Sequence, residues 1–371
     1  MAGGPLVGRR IVEFAGVGPA PFCGMLLADL GADVVRVESP TVSEAKKAVP
    51  ILDTRFDVAN RGKRAVQLDL KHDRDQELAR HLLTQADALI EGYRPGVMER
   101  LHLGPDACRA INPRLVYGRM TGWGQSGPLA NAAGHDINFI SLSGVLHAIG
   151  TDGGPPAIPL NLIGDYAGGL MLAFGIVSAM LEATTSGQGE VIDAAMSEGS
   201  AVLMAAIYGF RAAGLMPHAR GRNILDGGAH FYGVYECADG EWIAVGALER
   251  EFYTELLERC DIDDPEFERQ LDPASWPALR ARLEVLFRSR TRDEWQDLLA
   301  ETNACVSPVL SIDEAPRHPH HLARDAFLSL DGVTQPSPAP RFERNPAKVR
   351  WSAPARPVEV ADVVREWSSV S

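Results

Sequence analysis

The first third of the chain alternates short apolar runs with longer segments of helical spacing. The short runs, which have the length of buried strands, lie at residues 11–14, 34–37, 65–68, 88–90 and 115–117. Helical patterns lie between them at 20–31, 73–86 and 95–111. Strands that alternate with helices pair in parallel through right-handed crossovers. The pattern therefore predicts an α/β fold, an open parallel sheet with flanking helices that binds ligands at the carboxyl ends of its strands.

The middle of the chain has a different pattern. Residues 162–186 and 194–213 are long apolar segments of helical length, and we expect both to be buried. Residues 231–237 and 242–245 flank Asp239-Gly240, which predicts a β-hairpin. Helical patterns follow at 249–260, 276–289 and 292–301, so this part is predicted to form a smaller α+β domain. A later stretch, 334–357, is rich in Pro, Ser and Arg and predicts an extended segment.

The net charge argues against nucleic acid as a partner. The 371 residues include 36 Lys and Arg against 49 Asp and Glu, a net charge of −13, whereas nucleic-acid binding relies on a basic surface. The charge is uneven: residues 1–120 hold 17 basic and 15 acidic residues, and the other 251 hold 19 and 34. An anionic ligand is better accommodated in the first third, although an ordinary solvated surface explains the same counts.

The sequence predicts a cytoplasmic protein without membrane contact. Glycine, proline and charged residues interrupt every apolar run, so we expect none to span a bilayer, and the first residues lack the apolar core of a signal peptide. The five cysteines are far apart and lack metal-type spacing. We therefore expect reduced thiols and no bound metal.

A glycine turn after the first run partly matches the dinucleotide-binding fingerprint. Gly16 and Gly18 follow the run, and Glu38 ends the next one. The third glycine is missing, and Pro19 and Pro21 remove backbone N–H groups that would hold a pyrophosphate. A tight strand-to-helix turn is the preferred interpretation, and nicotinamide binding is the weaker one.

Basic residues lie near the ends of three predicted strands. Arg36 ends the second strand, residues 60–64 (NRGKR) precede the third, and Arg94 follows the fourth. Arginine pairs with phosphate through two hydrogen bonds, so the three positions together could bind a nucleotide with several phosphates. Each residue taken alone is more simply a surface charge.

A histidine and two carboxylates carry the candidate chemistry. His135 and Asp136 follow Gly134 at the start of a predicted helix, and Asp165 follows Gly164 at the start of the next apolar segment. A helix start favours an anion and keeps a nearby imidazole neutral and basic. His135 and Asp165 are thus candidate proton-handling groups. The alternatives are a core histidine and two ordinary first-turn aspartates.

Several segments together resemble the family III coenzyme A transferases, and within them the α-methylacyl-CoA racemase branch. The resemblance covers nearly the whole chain, and the segments that carry it are residues 91–96 (EGYRPG), 120–128 (MTGWGQSGP), 134–138 (GHDIN), 161–165 (NLIGD) and 193–196 (DAAM). No single segment is specific, but the combination is.

The resemblance implies a role for each candidate residue. His135 and Asp165 match the catalytic histidine and aspartate, and Glu249 matches the glutamate that pairs with the histidine. Asp136 matches the nucleophile of the transferase branch. The implied ligands of the CoA phosphates and of the adenine side are Arg36, Asn60, Lys63, Arg64 and Arg94.

The resemblance also implies a domain order and an assembly. Residues 1–190 form a large CoA-binding α/β domain, 191–224 a linker helix, 225–310 the small domain, and 311–371 a return segment that completes the large domain. Family members form interlocked homodimers, with the active site between a large domain and the partner's small domain. We expect this protein to do the same.

The function expected from the resemblance is racemisation of 2-methylacyl-CoA thioesters, an isomerase activity in fatty acid and lipid metabolism. One base removes the α-proton and the other returns a proton to the opposite face, through an enolate. No cofactor is expected, because coenzyme A is part of the substrate. The first alternative is CoA transfer between carboxylic acids with Asp136 as nucleophile. The second is a non-catalytic acyl-CoA binder.

Overall fold

The structure, a computed structural model, describes residues 3–41, 54–353 and 357–369. The strands among these residues are β1 (Arg10–Phe14), β2 (Asp33–Glu38), β3 (Arg64–Gln67), β4 (Ala88–Glu91), β5 (Val116–Thr121), β6 (Val191–Ala195), β7 (Tyr232–Glu236), β8 (Trp242–Gly246), β9 (Val306–Pro308), β10 (Phe327–Leu330) and β11 (Val333–Pro336).

The helices among the described residues are α1 (Pro19–Asp29), α2 (Asp73–Leu83), α3 (Val97–Arg100), α4 (Pro105–Ile111), α5 (Asp136–Leu142), α6 (Val145–Ala148), α7 (Asp165–Ser186), α8 (Met196–Leu203), α9 (Ala205–Ala212), α10 (Arg250–Arg259), α11 (Trp276–Phe287), α12 (Arg292–Leu299), α13 (Pro319–Ala323) and α14 (Val360–Ser369). Short 3-10 helices lie at Val58–Asn60, Pro265–Arg269 and Ala315–Arg317.

Contacts divide the chain into two compact units. The first contains the described residues of Met1–Ser143, Pro159–Leu203 and Ala323–Ser371, and the second contains Gly144–Ile158 and Met204–Leu322. Both ends of the chain thus belong to the first unit. The segment 191–224 was expected to be a linker helix. It contains β6 and two helices, α8 and α9, and the boundary between the units falls between these helices, at Met204.

The first unit contains a six-stranded sheet in the order β3-β2-β1-β4-β5-β6, and every neighbouring pair is parallel. Val12 of β1 pairs with Val35 on one side and Leu89 on the other, which fixes the register at the centre. The predicted α/β fold class is confirmed. The strand order reverses between β1 and β4, where open sheets of this kind form a ligand crevice at their carboxyl ends.

The sheet is buried on both faces. On one face the buried cluster around Phe14 and Tyr117 includes Trp367 of α14, whose indole N–H donates to Asp33 Oδ2 at 2.7 Å. On the other face Ile11 and Ile90 belong to a cluster that includes apolar residues of α1 and α7. A sheet buried on both faces explains why apolar residues predominate in its central strands, where Glu13 and Glu91 are buried charged exceptions.

The sixth strand is a correction to the sequence prediction. Residues 194–213 were expected to form one helix, but β6 extends to Ala195, and two shorter helices follow. β6 is an edge strand with exposed and half-buried residues, including Asp193. An edge strand carries a weaker apolar signal than a central one, and its last alanines resemble the start of a helix.

The second unit contains an antiparallel sheet in the order β7-β8-β9. The predicted hairpin is confirmed, with Tyr232 opposite Gly246 and Glu236 opposite Trp242. The three predicted helices are present as α10, α11 and α12, and their buried residues share one cluster with the hairpin. This unit has the α+β character that the sequence predicted.

Helix α7 corrects two expectations. It has 22 residues and a mean hydropathy of 1.5 in its most apolar window, so it is long and apolar enough to cross a membrane by length and composition. The expectation that every apolar run is interrupted too early is therefore wrong, because uncharged glycines do not break the helix. The helix was also expected to be buried. Leu172 and Ile176 are fully buried, but Leu170, Phe174 and Leu181 are 57–71% exposed.

Candidate active site

The starts of helices α5 and α7 are joined by a buried carboxylate. Asp136, the first residue of α5, is 1% exposed, and its Oδ2 accepts a hydrogen bond from the backbone N–H of Asp165 at 2.8 Å. Asp165 is the first residue of α7. A carboxylate at a helix start is stabilised by the helix dipole and by the free N–H groups of the first turn. The contact holds residues 135 and 165 in one small region.

Gly164 makes this contact possible. A Cβ atom at position 164 would lie 2.6 Å from Asp136 Oδ2, which is too close for any side chain. Close packing against Asp136 therefore explains why position 164, directly before Asp165, is a glycine. It lets the buried carboxylate approach the backbone of the α7 start.

Asp165 has a perturbed carboxyl group. Burial raises its pKa, and the nearby Asp136 charge acts in the same direction. The Asn161 side-chain amide, which donates to Asp165 Oδ2 at 3.2 Å, and the nearby His135 both lower the pKa, and the net shift is upward. His135 thus lies within electrostatic reach of Asp165. A raised pKa makes the carboxyl group a better proton acceptor than an ordinary aspartate, which suits a group that accepts and returns a proton.

The turn after β1 borders the Asp165 carboxylate. Gly18 has a φ of +72° and directly precedes Pro19, the first residue of α1. A Cβ atom at Gly18 would lie 3.1 Å from Asp165 Oδ2. The predicted strand-to-helix turn is confirmed, and its glycine keeps the space beside the carboxylate open.

His135 is exposed at the start of α5. Its backbone N–H donates to Asn138 Oδ1 at 3.0 Å, and its carbonyl oxygen accepts the N–H groups of Asn138 and Phe139 at 2.8 and 3.3 Å. These bonds fix the backbone that carries the imidazole. The side chain itself is open to solvent, as a group that meets a substrate must be.

Glu249 lies in the second unit, directly before α10. Its side chain is exposed. It is one of the charges that, after burial, raise the pKa of the Cys305 thiol. Its pairing with His135 stays a prediction.

Lys63, expected to bind the adenine side of a nucleotide, is instead fully buried. Its ammonium donates to Glu13 Oε1 at 3.0 Å, to the Pro21 carbonyl oxygen at 2.8 Å and to Asn60 Oδ1 at 2.9 Å. Burial lowers its pKa, while the Glu13 carboxylate acts in the opposite direction. An ammonium with three acceptors has no proton left for a ligand. This placement does not fit a direct ligand role.

Two other residues of that stretch are also engaged within the protein. Asn60 is buried and donates to Asp57 Oδ2 at 2.7 Å. Arg64 opens β3 and pairs at 2.5 Å with Asp33, which opens β2, and at 2.6 Å with Glu366. Arg64 thus lies at the amino edge of the sheet, whereas ligands of such sheets bind at the carboxyl edge. Neither placement fits the expected nucleotide contact.

The two arginines predicted to bind phosphate, Arg36 and Arg94, differ from each other in exposure and in pairing. The guanidinium of Arg36 is nearly buried and pairs with Glu38 Oε1 at 2.5 Å, while Glu13 lies 3.9 Å away. Arg94 is exposed just after β4. Its side chain has no hydrogen-bond or ion-pair partner within the part of the chain that the structure describes. Arg94 is therefore the predicted phosphate ligand that is open to a ligand at the carboxyl edge.

Comparison with known proteins identifies the protein family to which this chain belongs. A sequence profile described as CoA-transferase family III matches residues 6–356. The chain belongs to this family. It is 45% identical over 345 residues to the α-methylacyl-CoA racemase of Mus musculus, which covers 92% of this chain and 87% of the relative. It is 43% identical over 346 residues to the Homo sapiens protein of that name, with the same coverage.

Solved structures of family III relatives have the same fold. A CAIB/BAIF family protein from Brucella suis matches with a TM-score of 0.83 and 27% identity, over 98% of this chain and 100% of that one. The orthorhombic form of Rv3272 from M. tuberculosis matches with a TM-score of 0.79 and 27% identity, over 97% of this chain and 98% of that one. The predicted family is confirmed.

Two residues beside the Asp165 carboxylate were not predicted to be site residues. Asn161 donates to the Asp165 carboxylate, and Gly18 borders it. Leu160 and Asn161 both have positive φ, +56° and +61°, which turns the chain sharply before α7. Nothing in the residue types announces that turn, since leucine rarely adopts such a conformation. Within the described ranges, no group of three or more His, Cys, Asp or Glu side chains could hold a metal ion.

Proposed function

We propose that this protein interconverts the R and S epimers of 2-methylacyl-CoA thioesters. Two kinds of observation support the proposal. Relatives at 45% and 43% identity over 92% of the chain are α-methylacyl-CoA racemases. In the site, two proton-handling side chains extend from helix starts that Asp136 holds together.

The chemistry follows from the acidity of the thioester α-hydrogen. The carbonyl takes up negative charge as an enolate when the α-proton leaves, and inversion then needs a proton donor on the opposite face. We assign these two tasks to His135 and Asp165. The raised pKa of Asp165 brings its proton affinity closer to that of an imidazole. Such matching is needed for a reaction that runs in both directions.

Other groups are assigned supporting tasks. Backbone N–H groups in the first turns of α5 and α7 are candidates for stabilising the enolate oxygen. Glu249 is proposed to orient His135 and to favour its protonated form. Side chains alone can perform these steps, so we propose that coenzyme A enters as part of the substrate and that no further cofactor takes part.

The main observation that carries the proposal is the state of Asp136. Its side chain is 1% exposed, and its Oδ2 already accepts the N–H of Asp165. A carboxylate that attacks a thioester must bring an oxygen up to the carbonyl carbon. The second oxygen of Asp136, Oδ1, has no hydrogen-bond partner among the described residues, but it is buried and closed to a thioester. Asp136 is better placed to hold Asp165 than to act as the nucleophile of a CoA transferase. This favours the isomerase over the transferase.

Deuterium incorporation tests the proposal against that alternative. A racemase washes deuterium into the α-carbon of a 2-methylacyl-CoA ester in deuterated water, without a second acid. A transferase needs an acceptor acid and forms an acyl–enzyme intermediate that hydroxylamine traps as a mass change at Asp136. Exchange without trapping supports the racemase. Trapping at Asp136 without exchange contradicts it.

Coenzyme A is proposed to bind at the carboxyl edge of the sheet. Arg94, exposed and unpaired after β4 among the described residues, is the first candidate for a phosphate contact, and Arg36 is the second, provided that Glu38 yields its place. Arginine binds phosphate with two parallel hydrogen bonds. Lys63 and Asn60 are proposed to support this edge through their internal hydrogen bonds rather than to contact the ligand. Arg64 is proposed to tie the starts of β2 and β3 together at the opposite edge.

We further propose that the protein is a homodimer, of the interlocked kind found in the family. Leu170, Phe174 and Leu181 form an exposed apolar stripe on α7, and α9 has no buried residue among its eight. Large exposed apolar faces mark protein contacts. Sedimentation at micromolar concentration tests the dimer, and Phe174→Glu should yield monomers.

The proposed compartment is the cytoplasm, and the proposed context is fatty acid and lipid metabolism. Cys23, Cys108, Cys237 and Cys260 are buried free thiols, and Cys305 is an exposed one. Free thiols of this kind persist in a reducing compartment. Subcellular fractionation with an antibody to the native protein tests the location.

A further inference from the structure

A cavity lies entirely within residues of the second unit. It has a volume of about 420 Å³, which is within the range of small-molecule sites. Its walls are α6, α9 and the loop 216–226, and none of its lining residues belongs to the candidate active site. Nothing in the proposed racemase mechanism uses it.

The walls of the cavity are fixed by hydrogen bonds. The Arg220 guanidinium donates to the carbonyl oxygens of His147 and Gly154, both at 2.6 Å. The Asp226 carboxylate accepts the backbone N–H groups of Gly221 and Asn223 at 2.9 and 2.7 Å. It also accepts the side-chain amide of Asn223 at 2.7 Å. The site is therefore formed in advance, which lowers the cost of binding.

The charged side chains of the lining are mainly basic. Arg211 and Arg220 line the cavity, and Asp226 is the acidic residue among the lining residues. The Asp226 oxygens are occupied by the loop. Neither arginine pairs with a carboxylate among the described residues, and the Arg211 guanidinium donates to the Met216 carbonyl oxygen at 2.8 Å. In a chain with a net charge of −13, this local excess points to an anionic ligand.

The rest of the lining is apolar. Ala148, Met204, Ile207 and Met216 are among the residues that surround the same space. An unbranched thioether such as methionine adapts to alkyl groups of different shape. We propose that the cavity binds an amphipathic carboxylate, an organic acid with an alkyl body. Its carboxylate pairs with Arg211, and its alkyl body lies against Met204 and Ile207.

Calorimetry with octanoate and octanol on the full-length protein tests the proposal. The two probes share an alkyl body, and only octanoate carries a charge. Octanoate should bind more tightly than octanol. Arg211→Gln should weaken octanoate by about tenfold, since a charge-assisted pair is lost, and should leave octanol unchanged. Ile207→Glu, which places a negative charge against the alkyl body, should weaken both probes.

Arg222→Gln is the matched control. It removes the same charge from a neighbouring position that does not line the cavity and that lies 3.7 Å from Asp152, so octanoate should bind it as tightly as the unaltered protein. Thermal unfolding of each variant shows whether it is folded. Sedimentation of each variant shows whether the proposed dimer is kept, because α9 also belongs to the exposed surface assigned to the dimer contact. The proposal is overturned if the unaltered protein does not bind octanoate, or if folded Arg211→Gln binds it equally well. The racemase assignment is unaffected by either result, because the assay measures binding and not turnover.

Discussion

Lys63 and Asp165 are both ionisable groups in the interior of the first unit, but their surroundings differ. The Lys63 ammonium is completely enclosed, and all three of its protons reach acceptors in Glu13, Pro21 and Asn60. The Asp165 carboxylate is only partly buried, and Asn161 is the side chain that donates to it. Beside its Oδ2 lies Gly18, which has no side chain to fill the space.

The difference separates a structural charge from a chemical one. A buried group whose hydrogen bonds are all made within the protein stabilises the fold and has nothing to offer a ligand. A partly buried group with an open side and a raised pKa can exchange a proton with a substrate. The comparison predicts that changes at Lys63 act on stability and that changes around Asp165 act on turnover.

The largest effect on stability is expected from Lys63→Met. The variant leaves the Glu13 carboxylate buried, with Arg36 at 3.9 Å as its nearest described cation. Breaking a buried pair in this way should lower the free energy of unfolding by roughly 3 kcal/mol. Urea denaturation measures the loss. Lys71→Met, at an exposed position, is the control and should change the free energy of unfolding by under about 0.5 kcal/mol.

One result would show that Lys63 binds the substrate and is not a purely structural group. If Lys63→Met kept its stability and instead raised KM for an acyl-CoA, the ammonium would contact the ligand directly. The description of the Lys63 cluster as structural would then be wrong.

A smaller effect, on binding alone, is expected from Arg94→Gln. The exposed guanidinium is assigned to a CoA phosphate, and losing one charge-assisted contact should raise KM by about tenfold. Stability and kcat should change little, because the side chain has no partner in the described chain. Arg109→Gln, which removes the same charge from an exposed position in α4, should leave KM unchanged. Equal changes in the two variants would mean that only the overall charge matters.

The smallest effect is expected from Asn161→Gly. Glycine keeps the positive φ of this position and removes the amide that lowers the pKa of Asp165. The pKa of Asp165 should therefore rise further, and the acidic limb of the pH–rate profile should move to higher pH. On the acidic limb we expect a loss of about two- to tenfold in kcat/KM, with recovery at higher pH.

Leu160→Gly is the matched control for that experiment. It relaxes a backbone with nearly the same φ and keeps the Asn161 amide that donates to the Asp165 carboxylate. Its pH–rate profile should keep the position of its acidic limb. If the acidic limb shifted in Leu160→Gly, or failed to shift in Asn161→Gly, the Asn161 amide would not be the group that lowers the pKa of Asp165.

The sequence predicted the central strands of the fold and missed one edge. Strands β1, β2 and β5 are mostly buried, so each has a short apolar run that is easy to recognise, although each also includes a charged residue, Glu13, Arg36 and Arg119 respectively. The edge strand β6 includes the exposed Asp193 and merged with the helix that follows. A periodicity argument depends on burial, so it weakens wherever one side of an element faces solvent.

The candidate site was predictable in its residue types and not in its contacts. Glycine next to His135 and Asp165 marked both residues as unusual in the sequence. Its contacts, however, join residues far apart in the chain. The Lys63 ammonium donates to the Pro21 carbonyl oxygen, and the Asp165 backbone N–H donates to Asp136. Local patterns identify a charged residue, but only the fold decides whether its polar atoms are already used.

The central claim is that His135 and Asp165 act on opposite faces of one carbon. The most direct test is deuterium exchange at the α-carbon of separately purified R and S epimers of a 2-methylacyl-CoA ester. The unaltered protein should exchange both epimers. His135→Ala and Asp165→Asn should each lose racemisation by about 10²- to 10⁴-fold, and each should retain exchange with one epimer, the opposite one in the two variants. If both variants kept the same epimer, or if either racemised at the parent rate, the assignment of one base to each face would be contradicted.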